Sequence, residues 1–114
     1  MAVICHPNPT QGGTQDNKVV QTLARAFTQM GYRTARFNFR GIGKSEGGWD
    51  EGRGEIDDAL AVVAHFRAAA LPLALAGFSF GGYVASQAAR RLQEQGDGQG
   101  AERLCLVGPA TSRF

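Results

Sequence analysis

The segment Gly77-Phe78-Ser79-Phe80-Gly81 offers one serine hydroxyl between two glycines. It follows the apolar run Leu73-Ala-Leu-Ala76 and precedes an alanine-rich stretch with helical spacing. A strand that turns into a helix through Gly-x-Ser-x-Gly lifts the serine above the sheet edge and aims the helix's first amides at the same spot. Such a turn is too tight for side chains on either flank, which is why Gly77 and Gly81 are needed. The chemistry is nucleophilic attack on an acyl carbonyl, with Ser79 as nucleophile and the Phe80 amide as one oxyanion donor. Five residues of this pattern also arise by chance in a chain with 16 glycines. The strand before and the helix after give the match its weight. The plain alternative is a strand, turn and helix with no chemistry.

A second oxyanion donor is expected at the carboxyl end of the first strand, in His6-Pro7-Asn8-Pro9. Pro7 and Pro9 carry no N–H. Asn8 is therefore the expected donor, with a later amide between Thr10 and Thr14 as the other choice. A general base is harder to find. No histidine follows Ser79, and Asp97 is the sole aspartate after it. His6 precedes the nucleophile and reads as a structural histidine bonded to loop backbone. His65 reads as a solvated residue on the outward face of a helix.

Gly41-Ile-Gly43-Lys44-Ser45 resembles the end of a phosphate-binding loop. The full pattern needs glycine where Asn38 stands, and a helix starting at Lys44-Ser45 where Glu46-Gly47-Gly48 forbids one. A tight turn is the better reading, and nucleotide binding is a weak alternative. Trp49 either closes over the site or caps the core. No His, Cys and Asp cluster has metal-ligand spacing, and no cofactor is implied.

The rest of the chain must position these groups. With 114 residues, 43% apolar and 19% charged, it makes a single domain over 1–114 with one real core. A net charge of +2, with no stripe of Lys or Arg, argues against nucleic acid. Cys5 and Cys105 lie in apolar strand-like runs and read as buried thiols in a reducing, cytoplasmic compartment. The sequence shows no signal peptide and no membrane span.

Ala2–Cys5 reads as a buried strand. A helix enters near Asp16-Asn17, with Val19, Val20, Leu23, Ala24, Phe27 and Met30 inward and Gly31 as its stop. Arg33–Phe39 alternates and reads as a strand. Six glycines then fall between Gly41 and Gly54, marking a long loop. Ile56, Ala59, Leu60, Val63 and Phe66 mark a second helix, with Glu55, Asp57 and Asp58 in the first turn where the helix dipole favours them. Strand Leu73–Ala76 leads through the serine turn to a third helix, with Val84, Ala85, Ala88 and Leu92 inward. Arg103–Val107 is the last strand. Strands alternating with helices at this spacing give an α/β fold: a parallel sheet with helices on both faces.

On these residues the chain resembles the α/β-hydrolases, in particular small bacterial hydrolases similar to the dienelactone hydrolases. The resemblance runs through Cys5–Val20, Phe37–Gly47, Gly54–Asp58, Ala76–Ala85 and Val107–Phe114. The chain departs from the group at Asn8, where a second histidine is usual, and at Gln15, where methionine is usual. The resemblance implies a partial α/β-hydrolase fold, truncated at both ends, with a four-stranded parallel sheet in the order 4-3-5-6 of the family's numbering. It also implies a nucleophile, acid and base in the order Ser, Asp, His, with the last two beyond Phe114.

The reading is a serine hydrolase acting on a small ester-like substrate through Ser79, with the amides of Phe80 and Asn8 as oxyanion hole. The alternative is a non-catalytic remnant or binding module. Arg33–Phe39 and Arg103–Val107 form the two sheet edges, and their bare backbone predicts self-association.

Overall fold

The computed structural model describes residues 1–42, 45, 47–67, 72–96 and 100–108. Its strands are β1 (Ala2–Cys5), β2 (Thr34–Arg36), β3 (Ala74–Phe78) and β4 (Arg103–Val107). Its α-helices are α1 (Lys18–Gln29), α2 (Arg53–Phe66) and α3 (Phe80–Glu94). The strands form a four-stranded sheet in the order β2-β1-β3-β4. Every pairing is parallel, with Ile4 opposite Ala76 and Gly77 opposite Leu106. This is the expected fold class and strand order.

The pleat sorts the core into two layers, since successive strand residues face opposite sides. Val3, Cys5, Leu73 and Leu75 pack with residues of α2 and α3, among them Ile56, Val63, Val84 and Leu92. Ala2, Ile4, Ala74 and Ala76 face α1, whose Val20 and Phe27 are buried. Helix α1 starts at Asn17, whose side-chain oxygen accepts from the amides of Val19 and Val20 at 2.9 and 3.2 Å. That is a side-chain cap at an otherwise unsatisfied helix end.

Two strand ends and the burial of two helix-end residues differ from expectation. Strand β2 ends at Arg36 rather than Phe39. Two of its last three expected residues are taken by other partners: Asn38 Oδ1 accepts from the Gln15 amide at 2.9 Å, and the Phe39 amide donates to His6 Nε2 at 2.9 Å. The Ser45 hydroxyl donates to the Asn38 carbonyl at 2.9 Å. Side chains thus pull 37–39 off the edge and turn Phe39 into the core, where it is fully buried. Strand β3 runs two residues further than expected, to Phe78, because β4 pairs with it up to Val107. Met30 and Phe66 lie at helix ends beyond the sheet and are exposed, not inward.

β1 hands the chain to β2 on one side and takes β3 on the other. Open parallel sheets bind ligands at such a reversal, beyond the carboxyl ends of the strands. The loop after β1 and the turn after β3 both emerge there. Among the described residues, no helix is long and apolar enough to cross a membrane.

Candidate active site

Ser79 is the single residue between β3 and α3, and it is half-buried. Its backbone sits at φ 57° and ψ −119°, a conformation glycine adopts freely and other residues only at a cost of about 1–3 kcal/mol. The Ser79 amide donates to the Val107 carbonyl at 2.9 Å, which ties the turn to the end of β4.

Both flanking glycines are required by backbone, not by side chains. A Cβ on Gly77 would lie 2.1 Å from the Gly81 carbonyl oxygen, and one on Gly81 would lie 2.1 Å from the Cys5 carbonyl oxygen. The second contact matters most. It shows that the first turn of α3 rests directly on the carboxyl end of β1. The serine turn and the loop after β1 are brought together by the absence of one methyl group.

That loop is internally stitched. Asn8 Oδ1 accepts from the Thr10 amide at 2.8 Å, and the Asn8 carbonyl accepts from the amides of Gln11 and Gly13 at 3.1 and 3.0 Å. The Gly12 amide donates to the Pro9 carbonyl at 3.3 Å. The amides from Thr10 to Gly13 are therefore all engaged inside the loop. The Asn8 amide donates to no group among the described residues. Gly13 lets the loop close, since a Cβ there would meet the Pro7 carbonyl oxygen at 2.1 Å.

His6 lies beneath this loop, with no exposed surface. Its Nδ1 is 2.7 Å from the Pro7 carbonyl, and its Nε2 accepts from the Phe39 amide at 2.9 Å. One nitrogen must donate and the other must accept, which fixes the neutral ring in one tautomer. Burial lowers its pKa from the ordinary histidine value, against the opposing pull of the Pro7 carbonyl. With its acceptor lone pair occupied, His6 is a structural brace rather than a base. His65 is exposed on α2, its ring edge-on to Phe66. Asp97 and Gly43-Lys44 lie outside the described residues. Ser45 belongs to no helix, so the helix start that a phosphate-binding loop needs is not at that position. Both cysteines are free, and burial pushes the Cys5 thiol up to about 12.

Three features escape the sequence reading. Trp49 packs on Phe80, ring centroids 5.0 Å apart, in an aromatic group that includes Phe39 and Tyr83. Glu55 is fully buried and reaches back from α2 to accept from the amides of Asp50 and Gly52 at 2.9 and 3.0 Å. Arg40 and Asp58 form a two-pronged ion pair with a closest approach of 2.9 Å, laid over the bare face of Gly54. Asp58 therefore braces the long loop instead of merely facing the helix dipole. A glutamate three residues past a helix cap was a legible signal for the Glu55 contact. The other two features depend on the path of a long loop, which periodicity does not report. A concavity of about 470 Å³ touching Met1, Ala35 and Phe66 lies along the outer edge of β2, away from Ser79.

The sheet order, with its serine turn after the third strand, defines the architecture of an α/β hydrolase. The chain belongs to the serine aminopeptidase S33 family, which it matches over residues 4–113. It is similar to an α/β serine hydrolase of Xanthomonas campestris described as lacking a lid, at 43% identity and TM-score 0.89, covering 99% of this chain and 50% of that one. An α/β serine hydrolase homologue from Coxiella burnetii is 45% identical with TM-score 0.84, over 95% of this chain and 50% of that one. Zebrafish lysophosphatidylserine lipase ABHD12 is 36% identical over 90% of this chain and 26% of its own length. The chain thus spans about half the length of the solved relatives it matches.

Proposed function

We propose that this chain carries the nucleophile and oxyanion hole of a serine hydrolase that acts on an ester-like carbonyl. In this reading Ser79 Oγ attacks the carbonyl carbon. The amides of Phe80 and Asn8 hold the oxyanion, and a base and acid from outside residues 1–114 activate the hydroxyl. The observation that carries the reading is the backbone of Ser79. A serine held at φ 57° between two glycines that backbone contacts make obligatory is strain kept at one hydroxyl. Lipase and aminopeptidase chemistry, named for one relative and for the family, both transfer an acyl group to water and need this arrangement.

The test is turnover. Purified residues 1–114 should hydrolyse p-nitrophenyl acetate no more than about 10³-fold faster than water, since an oxyanion hole without the triad leaves little more. Robust turnover that disappears in Ser79→Ala would mean that a base lies within the chain, against this assignment. A non-catalytic binding role is the second reading, favoured by the base's absence from His6, whose ring nitrogens are both engaged.

A further inference from the structure

Trp49 remains to be explained. It is the sole tryptophan, and it keeps 36% of its surface exposed although its ring lies against Phe80, the residue next to Ser79. Phe80 itself is only 1% exposed. The open face of this aromatic pair is therefore the indole's.

The residues that follow Trp49 are tied to α2 and α3. The Glu55 carboxylate pins the amides of Asp50 and Gly52, and Gly52 rests on the Tyr83 and Phe80 rings, where an added Cβ would lie 3.1 Å from Tyr83 Cε2. These contacts anchor the backbone on the carboxyl side of the indole. Its charged neighbours are also engaged: Arg53 pairs with Asp50 and Glu51, and Arg40 with Asp58. No cation among the described residues of this loop is left to draw an anionic group onto the indole.

Resting on the hydrolase reading, we infer that Trp49 is a specificity-determining residue. It is the wall against which an uncharged alkyl or aryl group of the ester lies while its carbonyl meets Ser79. An exposed indole packed on the residue that follows Ser79 would favour such a group through burial of apolar area and ring contact.

The experiment needs no base and no turnover. Methyl methylphosphonate is a tetrahedral oxyanion; its hexyl analogues carry the chain either on phosphorus or on the ester oxygen, mimicking the acyl and alcohol sides. Each is titrated into ¹⁵N-labelled residues 1–114, following the Phe80 and Asn8 amides and the single indole N–H. The expected result is that every compound moves both amides, while only hexyl compounds move the indole. The hexyl arm that moves it identifies the side of the ester that Trp49 reads. That hexyl compound should bind about tenfold or more tightly than the methyl one. Trp49→Ala should erase the preference, and Trp49→Phe should keep most of it. If the amides respond but the hexyl-to-methyl ratio is the same in wild type and Trp49→Phe and Trp49→Ala, the inference is overturned and the hydrolase reading stands. If no compound moves the amides, both fall.

Discussion

Helices α2 and α3 both begin beside a non-glycine residue forced to positive φ: Glu51 at 56° before α2, and Ser79 at 57° before α3. The two starts resolve that strain in opposite ways. At α2, the third helical residue is Glu55, whose buried carboxylate turns back and satisfies two amides of the preceding turn. At α3, the corresponding residue is Gly82, no side chain caps the helix, and its first turn holds no acidic residue. The first start is closed on itself. The second keeps its strain and has neither a side-chain cap nor an acidic residue in its first turn, as the proposed oxyanion site would require. The difference separates a strained turn closed by its own side chain from the one to which we assign the chemistry.

The sharpest way to break the comparison is at the glycines. Gly81→Ala puts a methyl 2.1 Å from the Cys5 carbonyl oxygen and 2.5 Å from that of His6. Backbone cannot yield as a side chain does, so we expect a loss of about 4 kcal/mol or more, seen as loss of cooperative melting by circular dichroism. Gly52→Ala meets the Tyr83 ring edge at 3.1 Å instead, and should remain folded with a lowered melting temperature.

Removing the polar group at each start comes next. Glu55→Ala strands two amides and should cost about 2 kcal/mol in urea denaturation. Ser79→Ala, which removes no cap bond, should cost less than about 0.5 kcal/mol while abolishing any esterase activity. Equal costs would show that the two starts are alike after all.

Relieving the backbone is subtler. Ser79→Gly and Glu51→Gly each exchange a strained residue for one at ease with positive φ. Each should gain about 1 kcal/mol, since the relief exceeds the extra chain entropy of glycine. A loss at Ser79 would mean that its hydroxyl holds the turn together.

The smallest effect concerns the His6 brace beneath the serine turn. Its folded pKa lies below the ordinary 6.5, so below that pH the unfolded chain binds the extra proton and the folded one resists it. Stability should be full above pH 6.5 and fall as pH drops from there toward the lowered folded pKa. His6→Gln should flatten that acid limb in melting curves taken between pH 7 and 5.

Much of this was legible from residues alone. The strands, the helices and the glycine-flanked serine follow from short-range pattern, and the strand order follows from the family resemblance. β4 was readable to the residue because five apolar or long side chains end at Gly108. The shortfalls have one physical source. β2 stops early because Asn38 and Phe39 bond to residues more than twenty positions away, and no window of alternating residues registers that. Trp49 and Arg40 act through the glycine-rich loop, where each contact depends on a path set by positive-φ turns rather than by periodicity.

The hydrogen bond from Ser79 to Val107 has a dynamic consequence. Among the described residues β4 pairs on one side only, with β3, and it exposes Leu104 and Leu106. Its end holds the amide of the serine. Each time β4 frays, that proton is released to solvent, so its deuterium exchange rate is a clock for the attachment of the edge strand. A strand added along β4, as in the self-association we propose for this chain, would slow the clock with increasing protein concentration. How firmly Ser79 is held would thereby depend on how well the rim of the sheet is covered.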